Sequence, residues 1–570
     1  MSFHPKVLNL FKVGPENHSI VRQALDIAKT RLLLAMAGMV LGFALVTIKL
    51  VTVTCFHGGQ DYASNGNQHN GLNMGRATFK DRNGEVLATT IATSSLYANP
   101  KKILNPKEVV SKLKTVFPHL NEKDVLEKLK SDKTFLWIVR HLTPQQKSAV
   151  MRLGQPGLEF MRDTKRVYPF GELLSHAVGF VDVDNTGISG LEKGMDQHLR
   201  STNEPVELSL DIRLQHILFD ELHKTVHNFS AEGGSTMMMD IVTGEILAMV
   251  SLPDFDPNKP VIENPQALFN RNTLGVYEMG SSMKIINTAL ALQSGIATIE
   301  TKFDATQPLK VGRHFVTDYH AKNTWLTVEE IFVYSSNIGS ARMALKAGSD
   351  RQKSFMKEIG FLHSQKLEIP ELAQPLVPMT WKEANTITIS YGYGLSVSPL
   401  HTSVAIAGIV NEGKMVEQPT LLKRSPQETK YKQIVSSDVS AKVLNLMQQS
   451  VIRGTSRKGS VPGIMVGGKT GTANQRRSHG RGYIANAVNT TFVCVFPEKP
   501  KYLVFVMLDG PKAKKETFGF NTAGWNAAPL ASSIIQRAAP ILGVFPELEK
   551  PNESSGAATL RPAVLKDKHE

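Results

Sequence analysis

The run from Leu32 to Phe56 limits what this chain can fold into more than any other feature. Leu32 to Ile48 are uncharged and mostly apolar, Lys49 interrupts, and Leu50 to Phe56 continue the run. These 25 residues, at about 1.5 Å each, make a helix long enough to cross a hydrocarbon core of about 30 Å. Lys49 can snorkel toward the far interface. A buried core helix is the alternative, and the flanks argue against it. Residues 1–31 carry Lys6, Lys12, Arg22, Lys29 and Arg31 against Glu16 and Asp26, whereas 57–75 carry no Lys or Arg. The positive-inside rule then leaves 1–31 as a cytoplasmic tail, makes 32–56 a transmembrane anchor and exports the rest. A cleaved signal peptide fits less well. The run exceeds the usual ~7–15 apolar residues, and its only A-x-A, Ala35-Met36-Ala37, comes too early.

The exported part has the composition of folded domains. The whole chain is 41% apolar and 20% charged, which excludes a wholly disordered or multi-span protein. Its two cysteines exclude a disulfide scaffold and a Cys-rich zinc fold; Cys55 is expected at the membrane edge and Cys494 buried in a strand. The net charge of +14 invites a nucleic-acid reading, but the surplus is divided. Residues 1–31 hold +3, residues 101–166 hold +8, and residues 453–481 hold +7 with no acid among them. No single basic stripe results, so no nucleic acid is expected. The first block orients the anchor. The second reads as a solvated face, and the third as a field that draws in a carboxylate, with Arg476 and Arg477 as its test residues.

Residues 57–75 read as a polar tether. From Arg76 the pattern is strand-like, with a hairpin turn at Asn83-Gly84. Residues 106–153 read as helical, and Gly171–Gly194 as loops between short elements. Asp211 to Thr225 reads as an amphipathic helix. Strands follow at 235–240 and 245–251. Near the C-terminus come a strand from Ile464 through Lys469, strands at 491–496 and 502–508, then a helix over 528–538. The boundaries predicted are a pedestal at 57–230, a domain at 231–548 whose two or three antiparallel C-terminal strands and packing helix suggest a layered α/β architecture, and a disordered tail at 549–570.

One segment, Gly463-Ile-Met-Val-Gly-Gly468-Lys469-Thr470, matches the phosphate-loop pattern. Such a loop needs a strand before it and a helix after it. Here Val461-Pro462 precedes the match, its loop positions are strand-like, and Gly471-Thr-Ala-Asn is a poor helix start. The same lysine also begins Lys469-Thr470-Gly471, the third element of the set S-x-x-K, S-x-N and K-T-G. Ser281-Ser-Met-Lys284 supplies the first, ahead of the apolar helix Ile285–Gln293. Lys284 lies one turn on, placed to take the serine's proton. Ser335-Ser-Asn337 follows 54 residues after Ser281, and Lys469 comes 134 residues beyond Ser335. Single matches are weak, since Ser111–Lys114, Ser354–Lys357 and Ser201–Asn203 also fit. Order and context carry the signal.

With these motifs the chain resembles the penicillin-binding proteins, class B, over nearly its whole length. Lys80-Asp-Arg-Asn-Gly-Glu-Val-Leu-Ala88, Arg166-Val-Tyr-Pro-Phe170, Gly187-Ile-Ser-Gly-Leu-Glu192, Leu210–Gln215, Asp240–Met249 and Tyr391-Gly-Tyr-Gly-Leu-Ser-Val-Ser-Pro399 are similar to that family's segments. Met279 and Met283 depart from it, where the family often has proline and phenylalanine or valine. The resemblance implies a multi-domain α/β protein: one N-terminal transmembrane helix, an extended mixed pedestal, and a β-lactamase-like transpeptidase domain with an antiparallel sheet flanked by helices. There is no room for a class A glycosyltransferase domain before residue 230.

It implies a peptidoglycan D,D-transpeptidase acting through a serine acyl-enzyme. Ser281 would be the nucleophile, Lys284 the base, Ser335 the proton relay tuned by Lys469, and Asn337 the holder of the substrate amide. Thr470 and Thr472 would bind the terminal carboxylate, with Gly471 between them, and the N–H groups of Ser281 and Thr472 would form the oxyanion hole. The implied partners are stem peptides as D-Ala–D-Ala donor and amine acceptor, the membrane, an FtsW-type lipid II-polymerising glycosyltransferase, other division proteins, and β-lactams as inhibitors. No cofactor is implied. No metal is either, as the histidines are scattered and H-E-x-x-H is absent. The implied place is the bacterial inner membrane, with the catalytic domain in the periplasm at the division site. The elongation branch, a β-lactamase and a penicillin sensor or scaffold are the alternatives.

Overall fold

The computed structural model describes residues 17–51, 75–259, 264–477 and 482–546. It divides into two units, Met1–Asn73 and Met74–Glu570. Within the first, helix α1 is Asn17–Val51. It begins inside the segment predicted as a cytoplasmic tail. Its side chains from Leu32 to Ile48 are all exposed. An apolar helix with no packed face needs a non-aqueous surround. The one hydroxyl near its end is satisfied locally: Thr47 Oγ1 donates to the Phe43 carbonyl at 2.7 Å. Residues 52–56 with Cys55, the predicted tether up to Met74, and residues 547–570 with the whole predicted tail lie outside the described residues.

The second unit opens with a five-stranded mixed sheet. Strands β1 (Phe79–Lys80), β2 (Val86–Ala98), β3 (Leu136–Leu142), β4 (Leu158–Val167) and β5 (Val206–Glu207) form it. The order is β3-β2-β1-β5, with β4 also on β2. Helices α2 (Pro106–Val116), α3 (Glu122–Leu129) and α4 (Pro144–Arg152) start at Asn105, Asn121 and Thr143, whose side chains accept backbone N–H groups. The reading of 106–153 as helical is corrected at β3. Trp137, Ile138 and Val139 favour extended backbone, and the long β2 pairs with this segment from Ser94 to Ala98.

A buried charge cluster ties the start of this sheet to the segment that follows it. Glu192 accepts from Arg76 Nε at 2.8 Å and from Arg166 Nε at 2.7 Å. All three side chains are almost wholly shielded from solvent. The lysines of the 101–166 block are different. Lys112, Lys114 and Lys128 pair with Glu108, Glu122 and Asp124 on exposed faces, where such pairs add little.

Helix α5 (Ile212–Asn228), capped by Asp211, leads to the second sheet. Its strands are β6 (Gly233–Asp240), β7 (Ile246–Leu252), β8 (Gly467–Arg476), β9 (Tyr483–Phe496) and β10 (Tyr502–Asp509). The order is β8-β9-β10-β6-β7 and every pairing is antiparallel. The strands read from the sequence at 235–240 and 245–251 and the three near the C-terminus thus fall in one five-stranded sheet. Residues alternate between two cores, as period-two strands must. Met237, Met239, Val493, Leu503 and Phe505 face one; Met238, Phe492, Cys494, Val504 and Val506 face the other. Helices α5 and α11 (Ala527–Ala538) cover the second face. On the first lie α6 (Met283–Gln293), α9 (Pro399–Val410) and α10 (Ser437–Arg453). Burial on both sides explains the unbroken apolar run of β10.

Strand β8 begins at Gly467, not at Ile464. Pro462 and Gly463 (φ +70°) make a tight turn in which Ile464 N–H donates to the Val461 carbonyl at 3.2 Å, the Pro-Gly chemistry of a type II turn. The phosphate-loop match therefore covers a turn followed by a strand, with no helix after Lys469.

Removing the central carboxylate of the buried cluster leaves the Arg166 guanidinium without a counter-charge and Arg76 with only the partly exposed Asp196. Glu192→Ala is expected to lose about 3–5 kcal/mol of stability, read as a lowered midpoint in urea unfolding of the detergent-solubilised chain.

Candidate active site

A 3-10 turn, Gly280–Ser282, runs directly into α6. Ser281 sits in that turn, just ahead of the α-helix, and Lys284 lies in the first helical turn. Lys284 is 1% exposed. Its Nζ lies 2.9 Å from Ser281 Oγ and 3.1 Å from Ser335 Oγ. It donates to the Ser335 carbonyl and to Asn337 Oδ1, both at 2.7 Å. Those two oxygens can only accept. A neutral amine has two N–H bonds and one lone pair. In that form, with both N–H bonds engaged, the lone pair is left for a hydroxyl, that of Ser281 being nearer than that of Ser335. The electrostatics agree: burial first, then the nearby Lys469 charge, hold this amine well below the ordinary lysine range, and Asp318 opposes them.

Ser335 occupies the corner between α7 (Val328–Val333) and α8 (Asn337–Ala347). Its φ of +60° is left-handed, a conformation that is costly for a residue with a Cβ. The corner is held from both sides. Thr327 and Glu330 form a capping box that starts α7, and Ser336 Oγ accepts from Gly339 N–H at 3.0 Å to start α8. Asp318 then clamps it. One carboxylate oxygen accepts from the N–H of Asn337 at 2.5 Å and of Ile338 at 3.0 Å, and the other accepts from Ser336 Oγ at 2.6 Å. Sequence reasoning missed Asp318. It lies in a loop with no motif of its own, and only the folded chain shows what it reaches.

Lys469 arrives from β8 and is fully buried. Its Nζ donates to Ser335 Oγ at 3.0 Å and to the Thr470 carbonyl at 3.2 Å. Burial lowers its pKa to about 7. Strand β8 lies against the nucleophile turn with no room between them. A Cβ on Gly471 would fall 2.3 Å from the Met279 carbonyl, and one on Gly280 would fall 2.6 Å from the Thr472 carbonyl. The backbone of Thr472 is therefore beside Ser281.

These groups lie on one cleft of about 930 Å³, lined by Ser281, Ser335, Asn337, Thr470 and Thr472 among others. The structure thus brings together all eight residues singled out from the sequence: Ser281, Lys284, Ser335, Asn337, Lys469, Thr470, Gly471 and Thr472. The other motif matches stand apart. Ser111–Lys114 is on α2, Ser354–Lys357 on a separate surface helix, and none of them lines this cleft. Arg476 is outside it too; its guanidinium lies 3.4 Å from Ser396 Oγ. The basic side chains that do line it are Lys322, Arg453, Arg457 and Lys458, with His320.

Comparison with known proteins agrees with this geometry. Residues 234–536 match the penicillin binding protein transpeptidase domain, and residues 72–217 match the penicillin-binding protein dimerisation domain. The chain belongs to the class B penicillin-binding proteins. This penicillin-binding protein is 35% identical over 488 residues to the probable peptidoglycan D,D-transpeptidase FtsI of Caulobacter vibrioides, covering 83% of this chain and 82% of that one. It is 27% identical over 482 residues to the peptidoglycan D,D-transpeptidase FtsI of Escherichia coli, covering 78% and 80%. A crystal structure from Atopobium parvulum shares the fold, with a TM-score of 0.64 at 24% identity, covering 83% of this chain and 98% of that one.

The Asp318 clamp is testable. Asp318→Asn keeps one acceptor but removes the charge that holds two backbone N–H groups. Hydrogen bonds to charged groups contribute about 1.5–3 kcal/mol. Labelling by a fluorescent penicillin is expected to slow by about ten- to a hundredfold, measured as the second-order rate constant.

Proposed function

We propose that Ser281, Lys284, Ser335, Asn337, Lys469, Thr470, Gly471 and Thr472 are the catalytic and binding residues of this chain. The chain is a peptidoglycan D,D-transpeptidase, a serine-type enzyme. The observation that carries the assignment is the amine of Lys284, whose two N–H bonds are engaged by carbonyl oxygens while Ser281 Oγ stands 2.9 Å away.

Ser281 Oγ attacks the carbonyl carbon of the penultimate D-Ala and its proton passes to Lys284. The oxygen that becomes negative is met by the N–H groups of Ser281 and Thr472. The C–N bond then breaks, and Ser335 passes the proton from Lys284 to the departing D-Ala amine. The terminal carboxylate is held by the hydroxyls of Thr470 and Thr472 and by the charge of Lys469, while Asn337 Nδ2 and the β8 backbone hold the peptide. The amine of a second stem peptide attacks the resulting ester. A new amide bond forms, the bond to Ser281 Oγ breaks, and the amine's proton returns to that oxygen.

We assign the enzyme to the inner membrane at the division septum, anchored by α1 with its N-terminus in the cytoplasm. It would work beside an FtsW-type glycosyltransferase and other division proteins. The likeness to FtsI proteins supports this over the elongation role. Residues 57–230 would serve as a pedestal for a transpeptidase domain at 231–548.

Two measurements test the reading. A fluorescent penicillin is expected to form a long-lived covalent adduct with the detergent-solubilised chain and none with Ser281→Ala; rapid turnover of the label would instead mark a β-lactamase. Depletion is expected to give filaments, and rounded cells would assign the elongation role. The pH dependence is a third prediction. Acylation requires a neutral Lys284 and a charged Lys469, whose pKa is about 7. The rate constant is therefore expected to fall as pH rises through about 7. In Lys469→Arg that decline should vanish, because a guanidinium stays charged.

A further inference from the structure

We propose that Arg457 and Lys458, with the aromatic wall of Trp525, form the acceptor side of the cleft and bind the second stem peptide through its carboxylates. The proposal rests on the assignment of Ser281 to Thr472 made above.

The acceptor amine attacks the carbonyl that the D-Ala amine has just left, and by microscopic reversibility it comes in along the path of the leaving group. That path lies on the side of the cleft where the leaving residue's carboxylate is held, the side of Thr470. The residues after α10 build this side. Thr455 Oγ1 is 3.1 Å from Thr470 Oγ1, and Thr470 N–H donates to Ser456 Oγ at 3.3 Å. The loop is firmly set. Ser456 and Ser450 are both fully buried and bonded to each other at 2.9 Å. A Cβ on Gly454 would fall 2.6 Å from the Val333 carbonyl. Arg457 and Lys458 follow at once, at the mouth of the cleft.

Charge then says what this side receives. The lining of the cleft holds four cationic side chains and no Asp or Glu among the described residues. Arg453 is bonded to Glu329. Arg457, Lys458 and Lys322 form no ion pair among the described residues. Two of them rest on aromatic rings instead: Lys458 Nζ lies 3.0 Å from the centre of Trp525, and Lys322 Nζ lies 4.6 Å from that of Tyr334. Phe520 stacks on Trp525 with centroids 5.6 Å apart. The donor's terminal carboxylate is already served by Thr470, Thr472 and Lys469. Cations beyond that point, on the leaving-group side and without counter-charges, fit an acceptor that brings carboxylates of its own. The predicted field of the 453–481 block is thereby relocated from Arg476 and Arg477 to the loop beside Thr470.

The test separates acceptor binding from acyl-enzyme formation. The detergent-solubilised full chain is acylated with a D-Ala thioester donor, and the ratio of aminolysis to hydrolysis products is measured with two acceptors. One is an amine-bearing stem-type peptide with free carboxylates; the other is the same peptide with its carboxylates amidated. Wild type is expected to favour the acidic acceptor by about tenfold, an electrostatic preference that shrinks with added salt. The double variant Arg457→Gln/Lys458→Gln should lose this preference and treat both peptides alike, and Lys458→Arg should keep it. Two results would overturn the proposal: an unchanged preference in the double variant, or an equal loss with both acceptors, which would mean general damage to the site. A wild-type chain that formed no acyl-enzyme would show separately, before any acceptor is added. That result would overturn the assignment of Ser281 and the acceptor side defined by it.

Discussion

Two lysine amines are buried in this site with no carboxylate between them, and the rest of the domain is arranged around that fact. Both Nζ atoms lie within 3.1 Å of Ser335 Oγ, so they are at most about 6 Å apart. Two full charges at that distance repel by about 3 kcal/mol at an effective dielectric constant of about 20, and burial adds a desolvation cost. The pair is relieved by leaving one amine neutral. Burial and the charge of Lys469 favour the neutral form at Lys284, which faces two oxygens that only accept and the hydroxyls of Ser281 and Ser335, while Lys469 faces Ser335 Oγ and the Thr470 carbonyl. In the proposed mechanism a proton that leaves Ser281 has Lys284 as its first stop, and Ser335 joins Lys284 to Lys469.

Such an arrangement needs three separate pieces of chain held to a few tenths of an ångström. The start of α6, the α7–α8 corner and strand β8 come from widely spaced parts of the sequence. The corner is the least relaxed of the three, because Ser335 is left-handed. It is correspondingly the best supported, by a capping box on one side and by Asp318 on the other. Strand β8 is an edge strand, yet one side is covered by β9 and its face is closed by the nucleophile turn. The sheet behind it is buried on both faces, which gives the site a rigid wall.

Much of this was legible beforehand. Ser281, Lys284, Ser335, Asn337 and Lys469 were singled out by three short motifs in a set order, and the fold brings them within hydrogen-bonding reach of one another. Strand β10 could be read because burial on both faces leaves an unbroken apolar run. What escaped was whatever depended on partners distant in sequence. Leu136–Leu142 became a strand because β2 was there to pair with it. The start of β8 slipped to Gly467 because Pro462-Gly463 makes a tight turn. Asp318 carries no local signature, and the cations around Thr470 could be counted in the 453–481 block but not placed.

The contact between the nucleophile turn and β8 also restricts how this enzyme can change under drug pressure. At Gly280 and Gly471 backbone meets backbone with less space than one methyl group requires, and a Cβ on Gly392 would fall 2.0 Å from the Gly280 carbonyl. Substitution at these positions would push the Ser281 turn away from β8, whichever ligand the cleft holds. Resistance that preserves cell-wall synthesis has to arise elsewhere, among side chains that touch one ligand more than the other. The rim offers such positions, and these three glycines do not.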